Sequence, residues 1–239
     1  MRVTVCLPTY NELENLEPMV RALGEVLPDH ELRVLVIDDG SPDGTGELAD
    51  TLARQLGFVD VLHRPRKEGL GPAYLAGFRR ALAGGADLVL EMDCDFSHDP
   101  ADVPRLVAAA ADVDLVLGSR YVAGGRVSNW GPVRRLVSTG GSLYARFLLG
   151  VPIRDLTGGF KCYRRAVLEG IDLEAITARG YAFQIETTYR ALLAGFRVAE
   201  IPIAFTDREA GASKMSRGIV LEAIWKVPLL RAAALRHRL

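Results

Sequence analysis

Residues 88–100 read Leu-Val-Leu-Glu-Met-Asp-Cys-Asp-Phe-Ser-His-Asp-Pro. The run is apolar except for Glu91 until Met92, and the chain then turns polar at Asp93-Cys94-Asp95. A short apolar run closed by turn formers fits a strand buried in a sheet. Two carboxylates one residue apart, where such a strand emerges, are poorly suited to a core. They suit a hard divalent cation, because Mg²⁺ or Mn²⁺ takes a few carboxylate oxygens and completes its shell from substrate phosphates. Taken alone, Asp-X-Asp fits a solvated strand end equally, or a cap on the helix that Asp99-Pro100 opens. The surrounding chain has to decide.

Outward from this stretch, short Val/Ile/Leu-rich runs alternate with helical ones. Strands are predicted at 2–7, 32–37, 59–63, 86–92 and 114–118, and helices at 12–27, 43–56, 71–83 and 100–110. This alternation implies an α/β domain with a mostly parallel central sheet and helices on both faces. In such sheets ligands bind outside the carboxyl ends of the strands. The loops there are strongly polar: Pro8-Thr9-Tyr10-Asn11-Glu12, Asp38-Asp39-Gly40-Ser41-Pro42-Asp43-Gly44-Thr45, the Asp93/Asp95 pair, and Gly118-Ser119-Arg120-Tyr121. Asp43 suits a helix cap, but caps do not explain Asp38, Asp39, Asp93 and Asp95 together.

Other chemistries are poorly supported. No GxGxxG follows the first strand, and Gly69-Leu70-Gly71 comes after the third, so a dinucleotide fold is disfavoured. There is no Walker A sequence, HExxH or Cys/His cluster. His98 stands near the acidic pair and reads as a solvated or capping residue rather than a ligand. The 239 residues suffice for one large domain, which buries roughly 70% or more of its unfolded surface and needs no disulfide or zinc. Cys6, Cys94 and Cys162 are odd in number and far apart, which suggests free thiols and a reducing, cytosolic compartment. No signal peptide and no spanning helix is expected. The net charge of −1 offers nothing to nucleic acid, and the aromatics form no stacking ladder.

The second half differs. Between Leu115 and Arg154 there is no acid, while Arg120, Arg126, Arg134, Arg135, Arg146 and Arg154 all occur. Arginine with Gly-rich turns and Ser138 suits bidentate recognition of phosphate oxygens, although charge runs are commonly just solvated faces. Helices are predicted at 131–149 and 181–194, a strand at 197–205, and a final helical segment at 215–235. The glycines at 124–125 leave room for a mobile loop up to Asn129. From Arg208 onward there are seven Lys or Arg against two Glu, with Trp225 among apolar neighbours. Such a segment fits an anionic membrane surface or the domain's own core.

Eight stretches occur together: PTYNE at 8–12, VIDDGSPDGT at 36–45, RPRKEGLGPAY at 64–74, MDCDFSHDP at 92–100, GSRY at 118–121, DLTGGFKCYRR at 155–165, GYAFQIE at 180–186 and IPIAFTDREAGASKMS at 201–216. In this order they resemble the family-2 glycosyltransferases, and within them the dolichol- and polyprenol-phosphate mannose synthase branch. The resemblance covers nearly the whole chain. It implies a GT-A fold, a single Rossmann-like nucleotide-sugar-binding domain over 1–214. Residues 1–120 would form its nucleotide-sugar and metal half, 121–214 its acceptor half, and 215–239 a basic helical segment suited to associate with a membrane surface.

The resemblance also implies roles. Pro8, Tyr10, Glu12, Ile37 and Asp39 would bind the nucleoside end of the donor, with Cys94 near it through its backbone. Asp93 and Asp95 would hold Mg²⁺ or Mn²⁺, with Ser97 at a position that ligates metal in some members. Arg120, Arg208 and Lys214 match basic positions that meet donor or acceptor phosphates, and Arg134 and Ser138 belong with the acceptor phosphate. Asp93, Asp95, Arg120 and Arg208 form the expected catalytic set. The implied reaction is inverting transfer of mannose from GDP-mannose to a polyprenyl phosphate. The implied enzyme is peripheral at the membrane surface, docked by its own C-terminal region or by a separate anchoring subunit. Two rivals remain: transfer from a UDP-sugar such as UDP-glucose, and a non-catalytic nucleotide-sugar-binding subunit.

Overall fold

The computed structural model describes residues 1–27, 30–207 and 217–236, and of residues 217–221 the helical backbone alone. The first half runs β1 (Arg2–Thr9), α1 (Leu13–Val26), β2 (Glu31–Asp38), α2 (Thr45–Gln55), β3 (Val59–His63), α3 (Leu70–Ala83) and β4 (Leu88–Glu91). A 3-10 turn (Pro100–Asp102), α4 (Val103–Ala109) and β5 (Leu115–Ser119) complete it. The second half runs β6 (Arg126–Ser128), α5 (Pro132–Leu149), β7 (Lys161–Arg164), α6 (Arg165–Gly170), α7 (Tyr181–Leu193), β8 (Val198–Pro202), β9 (Ala204–Thr206) and α8 (Arg217–Leu235).

Seven strands form one sheet in the order β3-β2-β1-β4-β7-β5-β8. All pairings are parallel except those of β7, which runs antiparallel between β4 and β5. Alternate strand residues enter two cores, which is why the strands read as continuous apolar runs. Cys6, Leu35, Ile37, Val89 and Leu117 meet α3, α5, α7 and α8 on one face. Val3, Val5, Leu7, Val34 and Leu90 meet α1, α2 and α4 on the other. In α1 the buried Leu16, Met19, Val20 and Leu23 follow the spacing of one helix face. Burying each such side chain contributes about 1.5–3 kcal/mol before chain entropy is counted.

This topology positions the site. The chain leaves β1 through α1 on one face of the sheet and reaches β4 through α3 on the other. The crevice therefore lies beyond the carboxyl ends of β1 and β4, where the strand order reverses. Gly69 and Gly71 have a packing purpose here. A Cβ on Gly71 would lie 2.2 Å from the Ala178 carbonyl oxygen, and Gly71 N–H donates to the Arg179 carbonyl at 3.1 Å.

Four departures from the sequence expectation occur. The strand expected at 197–205 is two, β8 in the main sheet and β9 paired in parallel with β6. Pro202 ends the first, having no N–H to continue a ladder. Arg126–Ser128, expected within a mobile loop, is β6. Strand β7 and helix α6 had no sequence signal, because Lys161-Cys162-Tyr163-Arg164 carries charge at both ends. Helix α8 turns Val227 and Leu230 into the core, the second placement considered for it, and leaves Trp225 and Leu229 exposed.

Candidate active site

The loops after β1 and β2 are stitched together by side-chain hydrogen bonds. Asn11 N–H donates to Ser41 Oγ at 3.1 Å, and Ser41 Oγ donates to Asp38 Oδ1 at 2.5 Å. Glu12 N–H donates to Thr45 Oγ1 at 3.0 Å, and Thr45 Oγ1 donates to Asp43 Oδ1 at 2.6 Å. Asp43 Oδ2 also accepts from Leu13 N–H at 3.4 Å, so one carboxylate ties the starts of α1 and α2. On this frame Asp39 accepts from Arg64 Nη1 at 2.5 Å. Burial raises the Asp39 carboxyl above its usual range even though the Arg64 charge and hydrogen bond oppose it. Lys67 Nζ sits 4.3 Å from the centroid of the Tyr10 ring. Pro8, Tyr10, Glu12 and Asp39 thus share one rim. Ile37 brings no side chain to it, being wholly buried against α3 at Gly77, where a Cβ would lie 2.4 Å from Ile37 Cδ1.

Beyond β4 the acidic pair is arranged asymmetrically. Asp93 is 37% exposed in its side chain, whereas Asp95 is buried and accepts from Ser97 N–H at 3.1 Å. Phe96 between them has φ 57°, a left-handed conformation that costs a non-glycine residue on the order of 1–3 kcal/mol. The turn carries the chain from Asp95 to Ser97, whose Oγ is buried with no partner among the described residues. Two carboxylates and an orphaned hydroxyl fit a hard divalent cation that draws its remaining ligands from substrate. No group of three or more His, Cys, Asp or Glu arranged to hold a metal occurs among the described residues. Cys94 points into the core.

His98 is neither solvated nor a cap. It is 3% exposed, stacked on Phe160 at 4.9 Å, and its Nδ1 accepts from Asp93 N–H at 3.3 Å. Burial pushes its pKa down to about 4, so the ring is neutral at physiological pH.

A cavity of about 150 Å³ opens beside Asp93, Ser97 and His98. It is also lined by Arg134, Val137 and Ser138 of α5, Gln184 and Ile185 of α7, and Ala223 and Ile224 of α8. Arg120 lines it too, held by Asp155: Arg120 N–H and Nε donate to Asp155 Oδ2 at 2.9 and 2.8 Å, and Nη2 to Oδ1 at 2.7 Å. Arg120 is almost fully buried and Asp155 fully so. Burial alone would favour the neutral guanidinium, but Asp155 outweighs it and keeps the charge. Arg134 Nη1 donates to Asp207 at 2.6 Å, and its guanidinium lies 4.6 Å from the Trp130 ring centroid. Tyr121 Oη donates to Ser138 Oγ at 2.8 Å.

The structure therefore gathers Asp93, Ser97, Arg120, Arg134 and Ser138 around one cavity, with the Pro8–Asp39 rim at the neighbouring strand ends. Arg208 and Lys214 lie outside the described residues. Sequence reading missed Asp155, Asp207, Arg64 and Trp130. The stretch from 115 to 154 contains no acid, but its key arginines are paired with acids from outside it. DLTGGF and RPRKEG contained Asp155 and Arg64, without a signal of what they would touch.

A mostly parallel sheet with a crevice at its switch point, an acidic pair there and arginines lining the adjacent cavity define an α/β domain with a candidate anion- and metal-binding site. Residues 4–172 match the model of glycosyl transferase family 2. The chain belongs to this family and has the GT-A fold. It is 49% identical over 227 residues to an undecaprenyl-phosphate mannosyltransferase of Micrococcus luteus, covering 95% of this chain and 93% of that protein. It is 53% identical over 229 residues to a polyprenol monophosphomannose synthase of Mycolicibacterium smegmatis, covering 95% and 85%. Among solved structures, glucosyl-3-phosphoglycerate synthase from Mycobacterium tuberculosis, crystallised with Mn²⁺, UDP-glucose and phosphoglyceric acid, shares the fold. Its TM-score is 0.70 at 20% identity, over 97% of this chain and 80% of that one. A mannosyltransferase from Pyrobaculum calidifontis in complex with GDP-mannose and Mn²⁺ gives 0.60 at 18% identity, over 99% and 74%.

Proposed function

We propose that this glycosyltransferase moves mannose from GDP-mannose to a polyprenyl phosphate, inverting the anomeric centre to give the β-linked lipid and GDP. The observation that carries the reading is one cavity lined by Asp93 and by Arg120 and Arg134, to which α5 and α8 also bring the apolar Val137, Ala223 and Ile224. The names of the M. luteus and M. smegmatis relatives support the acceptor and the sugar. The P. calidifontis complex lends support to the donor and the metal.

The acceptor oxygen is already ionised at neutral pH, so the site needs no strong base. His98, neutral and stacked, is in keeping with that. A direct attack of the phosphate oxygen on C1, opposite the departing diphosphate, inverts the centre without a covalent enzyme intermediate. Pro8, Tyr10, Glu12 and Asp39 hold the nucleoside, with Ile37 and Cys94 contributing backbone. Asp93 and Asp95, with Ser97 beside them, hold Mg²⁺ or Mn²⁺, which supplies Lewis-acid neutralisation of the leaving diphosphate when bound. Donor and acceptor are both anions, and two unit charges at 4 Å repel by roughly 4 kcal/mol at an effective dielectric near 20. Arg120 and Arg134 offset that repulsion, with Arg208 and Lys214 as further cations, and Ser138 orients the acceptor phosphate.

The acceptor tail places the work at a bilayer, since each methylene withdrawn from water contributes about 0.8 kcal/mol. No helix among the described residues is long and apolar enough to cross a membrane. Leu136 and Phe147 of α5 and Trp225 and Leu229 of α8 are exposed, and α5 and α8 touch, with Tyr144 Oη donating to the Ile224 carbonyl at 2.9 Å. We assign peripheral membrane docking to this face. The discriminating experiment is steady-state kinetics of Arg134→Ala with both substrates varied. The acceptor KM should rise at least tenfold with donor KM little changed, and equal effects on both would remove Arg134 from the acceptor side.

A further inference from the structure

The cavity wall carries a side-chain amide that no role above uses. Gln184 in α7 is 1% exposed, and neither its Oε1 nor its Nε2 has a hydrogen-bond partner among the described residues. Buried amides are almost always paired, because a dry unpaired group forfeits the hydrogen bonds it makes in water. Its backbone is firmly held: the Gln184 carbonyl accepts from Lys161 Nζ at 2.7 Å and from Thr188 Oγ1 at 3.1 Å. Lys161 Nζ also donates to Thr187 Oγ1 at 3.1 Å, and Tyr163 Oη donates to Glu91 Oε1 at 3.0 Å, so a buried polar layer underlies the residue. Gly159 keeps the amide's space clear, since a Cβ there would come within 3.3 Å of Nε2. Burial raises the Glu91 carboxyl, with Lys161 and the Gln184 amide opposing it. The amide therefore faces Glu91, whose Oε2 is itself unpartnered among the described residues, but no pair between them reaches hydrogen-bond geometry. Gln184 thus lines the same cavity as Asp93, Ser97 and Arg120, with its amide buried in the wall and short of hydrogen-bond geometry to any described residue.

We propose that Gln184 is a specificity-determining residue that reads hydroxyl groups of the transferred hexose, Oε1 accepting from one and Nε2 donating to its neighbour. A vicinal diol offers the complementary donor and acceptor, whereas an apolar prenyl unit offers neither. A phosphate could accept from Nε2 but would leave Oε1 facing an anion. The inference rests on the nucleotide-sugar reading of the site, and it adds the group that selects the sugar. A pocket that hydrogen-bonds a hydroxyl discriminates strongly against the analogue lacking it, because the pocket's own polar atoms are then stranded.

The test compares wild type, Gln184→Met and Gln184→Asn on GDP-mannose and its 2-, 3-, 4- and 6-deoxy analogues. Transfer gives kcat/KM, and calorimetry gives affinity for each donor and for GDP alone. In wild type one or two deoxy donors should be about 10- to 100-fold poorer than GDP-mannose. In Gln184→Met the natural donor should fall by a similar factor, the deoxy penalty should collapse to within about threefold, and GDP affinity should be unchanged. Full deoxy discrimination in both variants would overturn the proposal, as would equal losses for GDP and GDP-mannose. A variant altered only in thermal stability would overturn it too, leaving Gln184 as a prop for Glu91. If wild type uses another nucleotide sugar instead, the mannose reading fails, and Gln184 is judged on that sugar's deoxy series by the same criteria.

Discussion

Replacing Asp155 with Asn tests whether Arg120 is held in place by a buried ion pair. Asp155 is fully buried and accepts three hydrogen bonds from Arg120, at 2.7, 2.8 and 2.9 Å. Its own backbone N–H donates to Glu200 Oε1 at 2.8 Å, so neither partner can relax toward water without moving the strand ends. An exposed pair such as Arg21–Glu17 is worth about 0–1 kcal/mol. Removing one member of a buried pair instead leaves a charge without compensation, and costs about 3–5 kcal/mol. At about 2–4 °C per kcal/mol for a domain of this size, the midpoint should fall by roughly 6–20 °C. Urea unfolding followed by circular dichroism measures the change, with an unaltered m-value showing that the unfolded ensemble is the same. A loss below about 1 kcal/mol would refute the argument. The double variant Arg120→Leu/Asp155→Leu separates stability from function. It should recover most of the stability, because apolar side chains pack without the desolvation penalty. It should not recover transfer, because the guanidinium facing the cavity is gone. Full activity in the double variant would remove Arg120 from the reaction.

Three further outcomes are expected. Burial lowers the Lys161 pKa to about 8 despite the opposing Glu91 charge. The unfolded chain then holds more protons than the native one above that pH, and stability gains on the order of 3 kcal/mol as pH rises from about 8 toward 10.5. Buried Cys6, Cys162, Tyr74 and Tyr163, all raised by burial, oppose this above pH 9. The contribution is therefore read as the wild type's gain relative to Lys161→Met between pH 7 and 9 in urea titrations, and parallel profiles would exclude it. Trp225→Glu/Leu229→Glu should lower sedimentation with anionic phospholipid vesicles at least tenfold while leaving GDP binding intact. Undiminished vesicle binding would take the membrane contact away from α8, and no binding by wild type would point to a separate anchoring subunit. Asp39→Asn removes the buried carboxylate that Arg64 Nη1 contacts, leaving it only the more exposed Glu68, and should weaken GDP binding by about 1–3 kcal/mol in calorimetry. Unchanged affinity would detach this pair from the nucleoside rim.

The β1–β5 framework was legible because strands covered on both faces show up as plain apolar runs, and because Leu16, Met19, Val20 and Leu23 mark a helix face directly. Strand β7 was not, because Lys161 is buried by a tertiary network with Gln184 and Thr187 that no local pattern announces. The acidic pair and the polar loops stood out through residue type and position alone. Their partners did not: Asp155 lies 35 residues from Arg120, and Asp207 lies 73 from Arg134. An arginine-rich, acid-free stretch looked like an open cationic surface, while folding brings one carboxylate to each of these two arginines. His98 was misread for the same reason, since the aromatic stack of Phe160 and Phe205 that buries it comes from distant segments. Gln184 sat in view within GYAFQIE, yet its lack of partners can be seen only in three dimensions.

The most direct test is product analysis with purified protein and a short polyprenyl phosphate in detergent. GDP-mannose, GDP-glucose and UDP-glucose would be supplied separately, each with Mg²⁺, with Mn²⁺ and with chelator, and the lipid product identified by mass and anomeric configuration. The account predicts β-linked mannosyl phosphate lipid from GDP-mannose, formed only with a divalent cation and lost in Asp95→Ala. Glucolipid from UDP-glucose, an α-linked product, or undiminished transfer under chelation would contradict it.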